Sequence, residues 1–518
     1  MAIFFKDGET KTRPGVYQRY ENIGHNPLAA ARDGICAIPV RASWGPLGKV
    51  MKNNRTADLT KTYGNGTYGP GYTVPAAIEM FKGGASVVYT YRMGSGGVQA
   101  TLEIADGLTV QAKYVGTMPL SVAVQVSLGD PSKKQFLVYS GTSLVETFSF
   151  VADGENEIDN LIKAAADSKY VTLIKADATE DEVETVAETE EPTDGEIVGG
   201  GDSMVEDEEN TEGTDEPTET EPTGSVVPVL AVASGALTGG EDPVVTTEDY
   251  SKAFAAFEGY YYNAIALDVD DDENMSLSLM LQEYKSAAYE MGKLGIAVVG
   301  EKTTVAFEKR LAHAYAFNDY KVVYLGGGWM AETENMDGVL AICRTAGVVA
   351  SKPANEGITH TVISGATDLC ESLTYYQYEE AINSGMLMVS MSPDGEIWFD
   401  SAVNTFHSPI DSTNDEGWKK IRRVKVRFEL FDRMDRALAP KVGRVTADSD
   451  GVADVIQTGQ RILAAMFNER KIKDGATFSE DPDNPFVGDS AWFIIGVDDN
   501  DSLEKIYLRY QFRYNQNV

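Results

Sequence analysis

The sequence predicts a multi-domain protein of mixed α+β and α/β class. An α/β core is interrupted by an inserted β-domain, followed by a C-terminal α+β domain, and flanked by extended arms at both chain ends. Three observations predict it. The chain has 518 residues, beyond the size at which one hydrophobic core keeps growing. Its hydrophobic period changes character several times along the chain. One long segment has no period at all and carries only negative charge.

Residues 1–26 are polar and irregular. Pro14, in Arg13-Pro-Gly-Val-Tyr17, biases the residue before it toward extended backbone, so this stretch reads as an arm. Residues 27–98 read as the first part of the core. Ile35 to Val40 is a short buried strand, Val74 to Lys82 a helix and Ser86 to Arg92 a strand, with Gly and Pro turn chemistry between Gly64 and Gly71. Residues 99–176 read as the inserted β-domain. Leu120 to Val126 alternates apolar with small or polar residues, and Phe136 to Tyr139 is a second strand.

The composition then shifts. Between Asp177 and Glu221 there are 20 Asp and Glu, and no Lys or Arg occurs between Lys175 and Lys252. Blocks of like charge without apolar period cannot offset chain entropy, so residues 177–224 are expected to be a solvated, disordered linker.

Residues 225–407 return to an α/β pattern. Tyr261 to Leu267, Ile296 to Val299 and Val322 to Leu325 read as buried strands. Leu277, Leu281, Tyr284, Ala288 and Met291 share one helical face, Val305 to Phe317 is helix-like, and Gly338 to Ala350 is another helix. Such alternation argues for an open sheet covered by helices. Residues 408–518 form the last domain. Val452 to Phe467 is a strongly amphipathic helix with Asp448, Ser449 or Asp450 as candidate cap. Ala491 to Ile495 and Lys505 to Tyr514 read as strands around the turn at Asp498 to Asp501.

Charge and cysteine content exclude several function classes. At a net charge of -36 the chain is a poor ligand for nucleic acid, whose phosphates need clustered Lys and Arg. Cys36, Cys343 and Cys370 are odd in number and far apart, which fits a reducing cytoplasm and no disulfide framework. The first residues are too short an apolar run for a signal peptide, and no stretch approaches the roughly 20 apolar residues of a membrane span, so no membrane insertion is expected.

No catalytic grouping stands out, and neither a cofactor nor a metal is expected. His25, His313, His360 and His407 are isolated from one another. Gly326 to Gly328 follows a strand but has no Walker lysine and no full dinucleotide fingerprint, so it reads as a turn. The acidic run Asp268 to Glu273 lacks the calcium-loop spacing and its glycine. Nine Lys and Arg lie between Lys419 and Lys441, opposed only by Glu429, Asp432 and Asp435. This patch reads either as a solvated helix face or as an electrostatic contact with an acidic partner surface. Its secondary structure is ambiguous by period, and its length without Gly or Pro favours a helix.

The ordered set Arg13-Pro-Gly-Val-Tyr17, Leu237-Thr-Gly-Gly-Glu-Asp-Pro243 with Tyr250, Lys352-Pro-Ala-Asn355, Gly417-Trp-Lys-Lys-Ile-Arg-Arg423, Phe428-Glu-Leu-Phe-Asp432, Asp481-Pro-Asp-Asn-Pro485 and Ser490-Ala-Trp-Phe493 resembles the phage tail sheath family of Gram-positive phages and phage-like elements. The resemblance covers most of the chain outside the acidic segment. It implies a structural subunit, not an enzyme, that forms a six-start helical homopolymer around a tail tube protein and contracts to drive the tube into a target envelope. Further implied partners are baseplate and tail terminator proteins, and the implied location is a virion tail or similar particle assembled in the host cytoplasm. It implies that arms at both chain ends donate strands to neighbours. The candidates are Val16, Tyr17 and Ile23 at one end and Ile506, Leu508, Tyr510 and Phe512 at the other. It also implies a tube-proximal C-terminal domain, where Lys419, Lys420, Arg422, Arg423, Lys425 and Arg427 are the expected tube contact. The alternatives are an enzyme on the central α/β unit or another assembly protein.

Overall fold

A computed structural model describes residues 3–4, 17–18, 30–105, 107–154, 156–175, 230–231, 233–332, 334–409 and 415–512. Its chain forms two compact units, one of residues 1–96 with 242–518, the other of residues 97–241. The described helices are α1 (Thr56–Tyr63), α2 (Val74–Lys82), α3 (Glu157–Ala164), α4 (Thr247–Phe257), α5 (Ser276–Glu290), α6 (Phe307–Phe317), α7 (Val339–Ser351), α8 (Tyr375–Asn383), α9 (Ile421–Leu438) and α10 (Ser449–Asn468). None is long and apolar enough to cross a membrane.

The larger unit is built on a seven-stranded sheet. In spatial order its strands are Met386–Leu387, Val322–Leu325, Ile296–Gly300, Ala264–Ala266, Ile35–Val40, Val87–Arg92 and Val50–Asn53. All pairings are parallel except the last, where Val50–Asn53 runs antiparallel along the edge. Strands from before and after the smaller unit thus lie side by side, since Ala264–Ala266 pairs with Ile35–Val40. The runs Val322–Leu325, Ile296–Gly300, Ala264–Ala266 and Ile35–Val40 carry no charged residue because both faces are covered. Cys36, Ile38, Val298 and Leu325 face a core closed by α1, α2, α7 and α9. Ala37, Ile265, Val299 and Tyr324 face a second core closed by α4, α5, α6 and α8. Helices α2 and α7 touch backbone to backbone: a Cβ on Gly347 would lie 2.1 Å from the Met80 carbonyl oxygen, and one on Gly83 2.2 Å from that of Arg344. Only glycine permits that approach. The crossing is fixed by a buried ion pair, with Arg344 donating to Glu79 at 2.6 and 2.8 Å.

The smaller unit holds two antiparallel sheets and α3. One sheet orders Ser143–Val151, Lys133–Ser140, Leu120–Val126 and Ala233–Ala236; the other orders Val171–Lys175, Leu108–Ala112 and Thr101–Ala105. This corrects one expected boundary. The core was expected to resume at residue 225, but Ala233–Ala236 pairs with Leu120–Val126 and this unit runs to Glu241. Ala-Ser-Gly-Ala carries no apolar period, so nothing in its pattern announces a strand. The segment expected to link two domains therefore leaves from one strand of this unit and returns to another. The acidic residues 177–224 themselves lie outside the described residues.

The expected tail strand is also corrected. From Asp501 to Phe512 the chain forms no strand within the subunit. The two-stranded sheet of the C-terminal region instead pairs Phe493–Gly496 with Thr477–Glu480.

Candidate functional site

The C-terminal region is organised around α9. Its 18 residues carry two apolar stripes. Ile421, Val424 and Phe428 enter the sheet core, while Val426, Leu430 and Met434 enter a separate core with Ile462, Leu463, Met466 and Phe478. Spacings of three and four place each stripe on one face, so the helix is gripped from two sides. That settles the ambiguous period in favour of a helix. Helix α10 begins at Asp448, whose carboxylate accepts from the Gly451 amide at 2.8 Å, as the capping rule predicts. The two helices are tied by charge: Arg433 pairs with Glu429 and Glu469, and Lys471 with both carboxylates.

The six cations expected to meet the tube all have partners inside the subunit. Lys420 pairs with Glu504. Arg422 donates to the Ser502 hydroxyl at 3.2 Å. Arg423 holds Asp499 bidentately at 2.6 and 3.0 Å, and Arg427 reaches the same carboxylate at 2.9 Å. Lys419 donates to the Asn383 carbonyl. Lys425 is 8% exposed and points inward, donating to the Val349 and Lys352 carbonyls at the end of α7. A cation there complements the negative end of the helix dipole. Burial pushes its ammonium down to about 8, against the pull of Asp33 and Glu429. Burial would lift the Asp499 carboxyl, but the hydrogen bond from Arg423 and the charges of Arg427 and Arg423 outweigh it and hold the group below the ordinary carboxylate range.

The basic patch thus grips residues 499–504. Asn500 strengthens the grip by donating to the Arg470 and Ile472 carbonyls, and the Thr359 hydroxyl donates to Glu504. Beyond Glu504 the grip stops. Among the described residues, none from Lys505 to Phe512 is joined to the rest by a hydrogen bond or ion pair. Ile506, Leu508, Tyr510 and Phe512 lie in solvent, with Phe512 94% exposed and the neighbouring Tyr507 89%. Among the described residues the sheet of Thr477–Glu480 and Phe493–Gly496 has two strands, and Ile494 and Ile495 within it and Trp492 just before it are exposed.

At the other chain end, Val16 and Ile23 lie outside the described residues. Tyr17 begins the strand Tyr17–Gln18, which pairs in parallel with Ile3–Phe4. Asp499, Ser502 and Glu504 were not singled out from sequence. The signal that finds them is charge complementarity: the acidic group Asp498, Asp499, Asp501 and Glu504 is the counterpart of the basic run 419–427.

His25 lies outside the described residues, and the other residues weighed above sit in local contacts. Asp268 is fully buried and accepts from the Tyr250 and Thr73 hydroxyls. Asp270 accepts from the Val339 amide at the start of α7 and pairs with Lys302. Asp271 and Asp272 accept amides at the start of α5. His313 contacts Glu301, His360 stacks on Trp398 and His407 on Tyr315. Gly326 is pressed against Met386. Among the described residues, no three His, Cys, Asp or Glu side chains are grouped to hold a metal ion.

Comparison with known proteins places this architecture. Residues 244–405 match the family described as the phage tail sheath protein central domain, and residues 95–203 match the phage tail sheath protein beta-sandwich domain. The phage-like element PBSX protein XkdK of Bacillus subtilis is 23% identical over 397 residues, covering 74% of this chain and 70% of that protein. The uncharacterized protein YqbK of the same organism is 23% identical over 533 aligned residues, covering 98% of this chain and 99% of that one. The sheath tail protein Lin1278 of Listeria innocua has a similar fold, with a TM-score of 0.64 at 18% identity, covering 91% of this chain and 96% of that one.

Proposed function

The chain belongs to the phage tail sheath family, and we propose that it is the subunit of a contractile sheath held together by exchanged strands. On this reading it polymerises helically, six-start, around a tail tube protein and contracts to drive the tube through a target envelope. Baseplate and tail terminator proteins would bound the polymer, in the tail of a virion or a phage-like particle assembled in the host cytoplasm.

One observation carries the reading: an apolar strand-forming segment, Ile506 to Phe512, stands outside the fold next to a root that is firmly held. Alternation puts Ile506, Leu508, Tyr510 and Phe512 on one face of an extended chain. Such a surface must be covered or it aggregates. A neighbour's two-stranded sheet, Thr477–Glu480 with Phe493–Gly496, offers apolar side chains and, along Phe493–Gly496, a backbone edge with no further strand among the described residues. Strand addition there gives affinity through main-chain hydrogen bonds and register through alternate side chains. It lets subunits stay joined while the chain between root and strand bends, which contraction requires. The N-terminal segment containing Val16, Tyr17 and Ile23 is proposed as the second arm.

Tube contact through Lys419, Lys420, Arg422, Arg423, Lys425 and Arg427 is a weaker reading than anchoring of the arm, because each of the six already has a partner within the subunit. Negative-stain microscopy of the purified full chain tests the function. Hollow cylinders of uniform diameter are expected; compact monomers at all concentrations, with or without tube protein, contradict it.

A further inference from the structure

The root of the N-terminal arm is held by the same helix as the root of the C-terminal one. Arg32 pairs with Asp432 of α9, and its guanidinium also lies 3.7 Å from the centre of the Tyr261 ring. Arg436, one turn further along α9, braces Asp432 at 2.7 Å and donates to the Ala30 carbonyl. The Arg32 carbonyl accepts from Asn263 at 2.7 Å. Just beyond, Ile35–Val40 enters the sheet. So α9 grips residues 30–32 near its C-terminal end and residues 499–504 near its N-terminal end.

The polarity of the two grips is opposite. The C-terminal root brings carboxylates, Asp499 and Glu504, to cations of the helix. The N-terminal root brings a cation, Arg32, to a carboxylate of the helix. Neither root therefore pairs well with the other's seat. At about 100° per residue, Arg423 and Arg427 lie on roughly the opposite face from Asp432 and Arg436. From Lys420 to Arg436 the helix spans about 24 Å at about 1.5 Å per residue. The two apolar stripes between these charged stripes are buried in separate cores, so the helix itself is held rigid.

We propose that α9 is a ruler: its two charged seats fix where, and on which sides, the two arms leave the subunit. Lys420, Arg423, Arg427, Asp432 and Arg436 are its positioning residues. The consequence for assembly rests on the arm-exchange reading; the seating itself belongs to the single subunit. A polymer joined by flexible arms needs fixed launch points, because a free root would spread the strand over many positions and lower its effective concentration at the neighbour's sheet.

Hydrogen–deuterium exchange of the unassembled full chain, read on peptides covering 498–504 and 30–34, tests the seating. Lys420→Glu and Glu504→Lys are each expected to speed exchange in 498–504 at least tenfold, while α9 and α10 are unchanged. The double variant Lys420→Glu/Glu504→Lys restores protection. Asp432→Asn is expected to speed exchange in 30–34 alone. Single variants should form few or irregular cylinders, and the swap should recover them. Unchanged exchange in the single variants overturns the ruler. So do regular cylinders from variants whose root has come loose. Asp499→Asn, nearly isosteric, guards against a charge reversal that merely unfolds the region. Failure of the arm-exchange reading itself would show differently, as cylinders formed by a chain cut after Glu504.

Discussion

Two apolar segments of this chain, Ile296–Gly300 and Ile506 to Phe512, have opposite fates. The first is buried at every position between two parallel neighbours. The second carries more large apolar and aromatic side chains and leaves them in water. The difference lies in what surrounds them. Ile296–Gly300 follows α5 and precedes α6, so a right-handed crossover on each side delivers it into a sheet with one face covered by those helices and the other by α7. Ile506 to Phe512 follows a segment pinned by Asp499 and Glu504 to α9, and among the described residues nothing covers it. Apolar content sets the need for cover; the flanking chain decides whether the subunit itself supplies it, and for the tail we propose that a neighbour does.

Substitutions sharpen that contrast. Val298→Asp places an unpaired carboxylate in the core and is expected to cost more than about 3 kcal/mol, unfolding the subunit in a thermal melt. Leu508→Asp, chemically the same kind of change, is expected to leave stability within about 0.5 kcal/mol yet abolish cylinders. An equal loss of stability in both variants would erase the distinction between the two segments.

Lys425→Met removes the buried cation from the end of α7 and leaves the Val349 and Lys352 carbonyls without their donor. A loss of about 2 kcal/mol is expected in denaturant unfolding. A neutral effect would mean that the patch is not built into the fold. Acid addresses the pin. The Asp499 carboxyl is held below its ordinary value, so its pairing adds stability that is fully present above the unfolded-state value of about 3.9 and is lost as pH falls through the lower folded value. Protection in 498–504, measured against the intrinsic exchange rate at each pH, should therefore hold at pH 5 and fall only below about pH 4; a loss already near pH 6 would assign the pin to another group. The smallest effect is expected from deleting Thr179 to Glu221. Both flanking strands belong to one unit, and shortening a long connection changes closure entropy little. Its melting temperature should move by less than about 2 °C.

Much of this was legible in the sequence because local period and burial agree. Helix α2 spans Val74–Lys82 as expected, and the strands at 296–300 and 322–325 fall within a residue of their apolar runs. Helix α9 was harder, since two apolar stripes on different faces mimic alternation. The strand Ala233–Ala236 was invisible because small residues carry no period. The tail was misread for a different reason. Lys505 to Tyr514 has strand composition, but composition does not name the partner. The basic run was seen and its seat was not, because Lys420 and Glu504 meet only through the fold.

The proposal that the exposed segment Ile506 to Phe512 joins subunits is tested by sedimentation velocity of the full chain beside a chain ending at Glu504, under conditions where the full chain assembles. The shortened chain is expected to sediment only as a folded monomer, with circular dichroism and melting temperature unchanged. Fast-sedimenting polymers from the shortened chain, at the same concentration as from the full one, would contradict it.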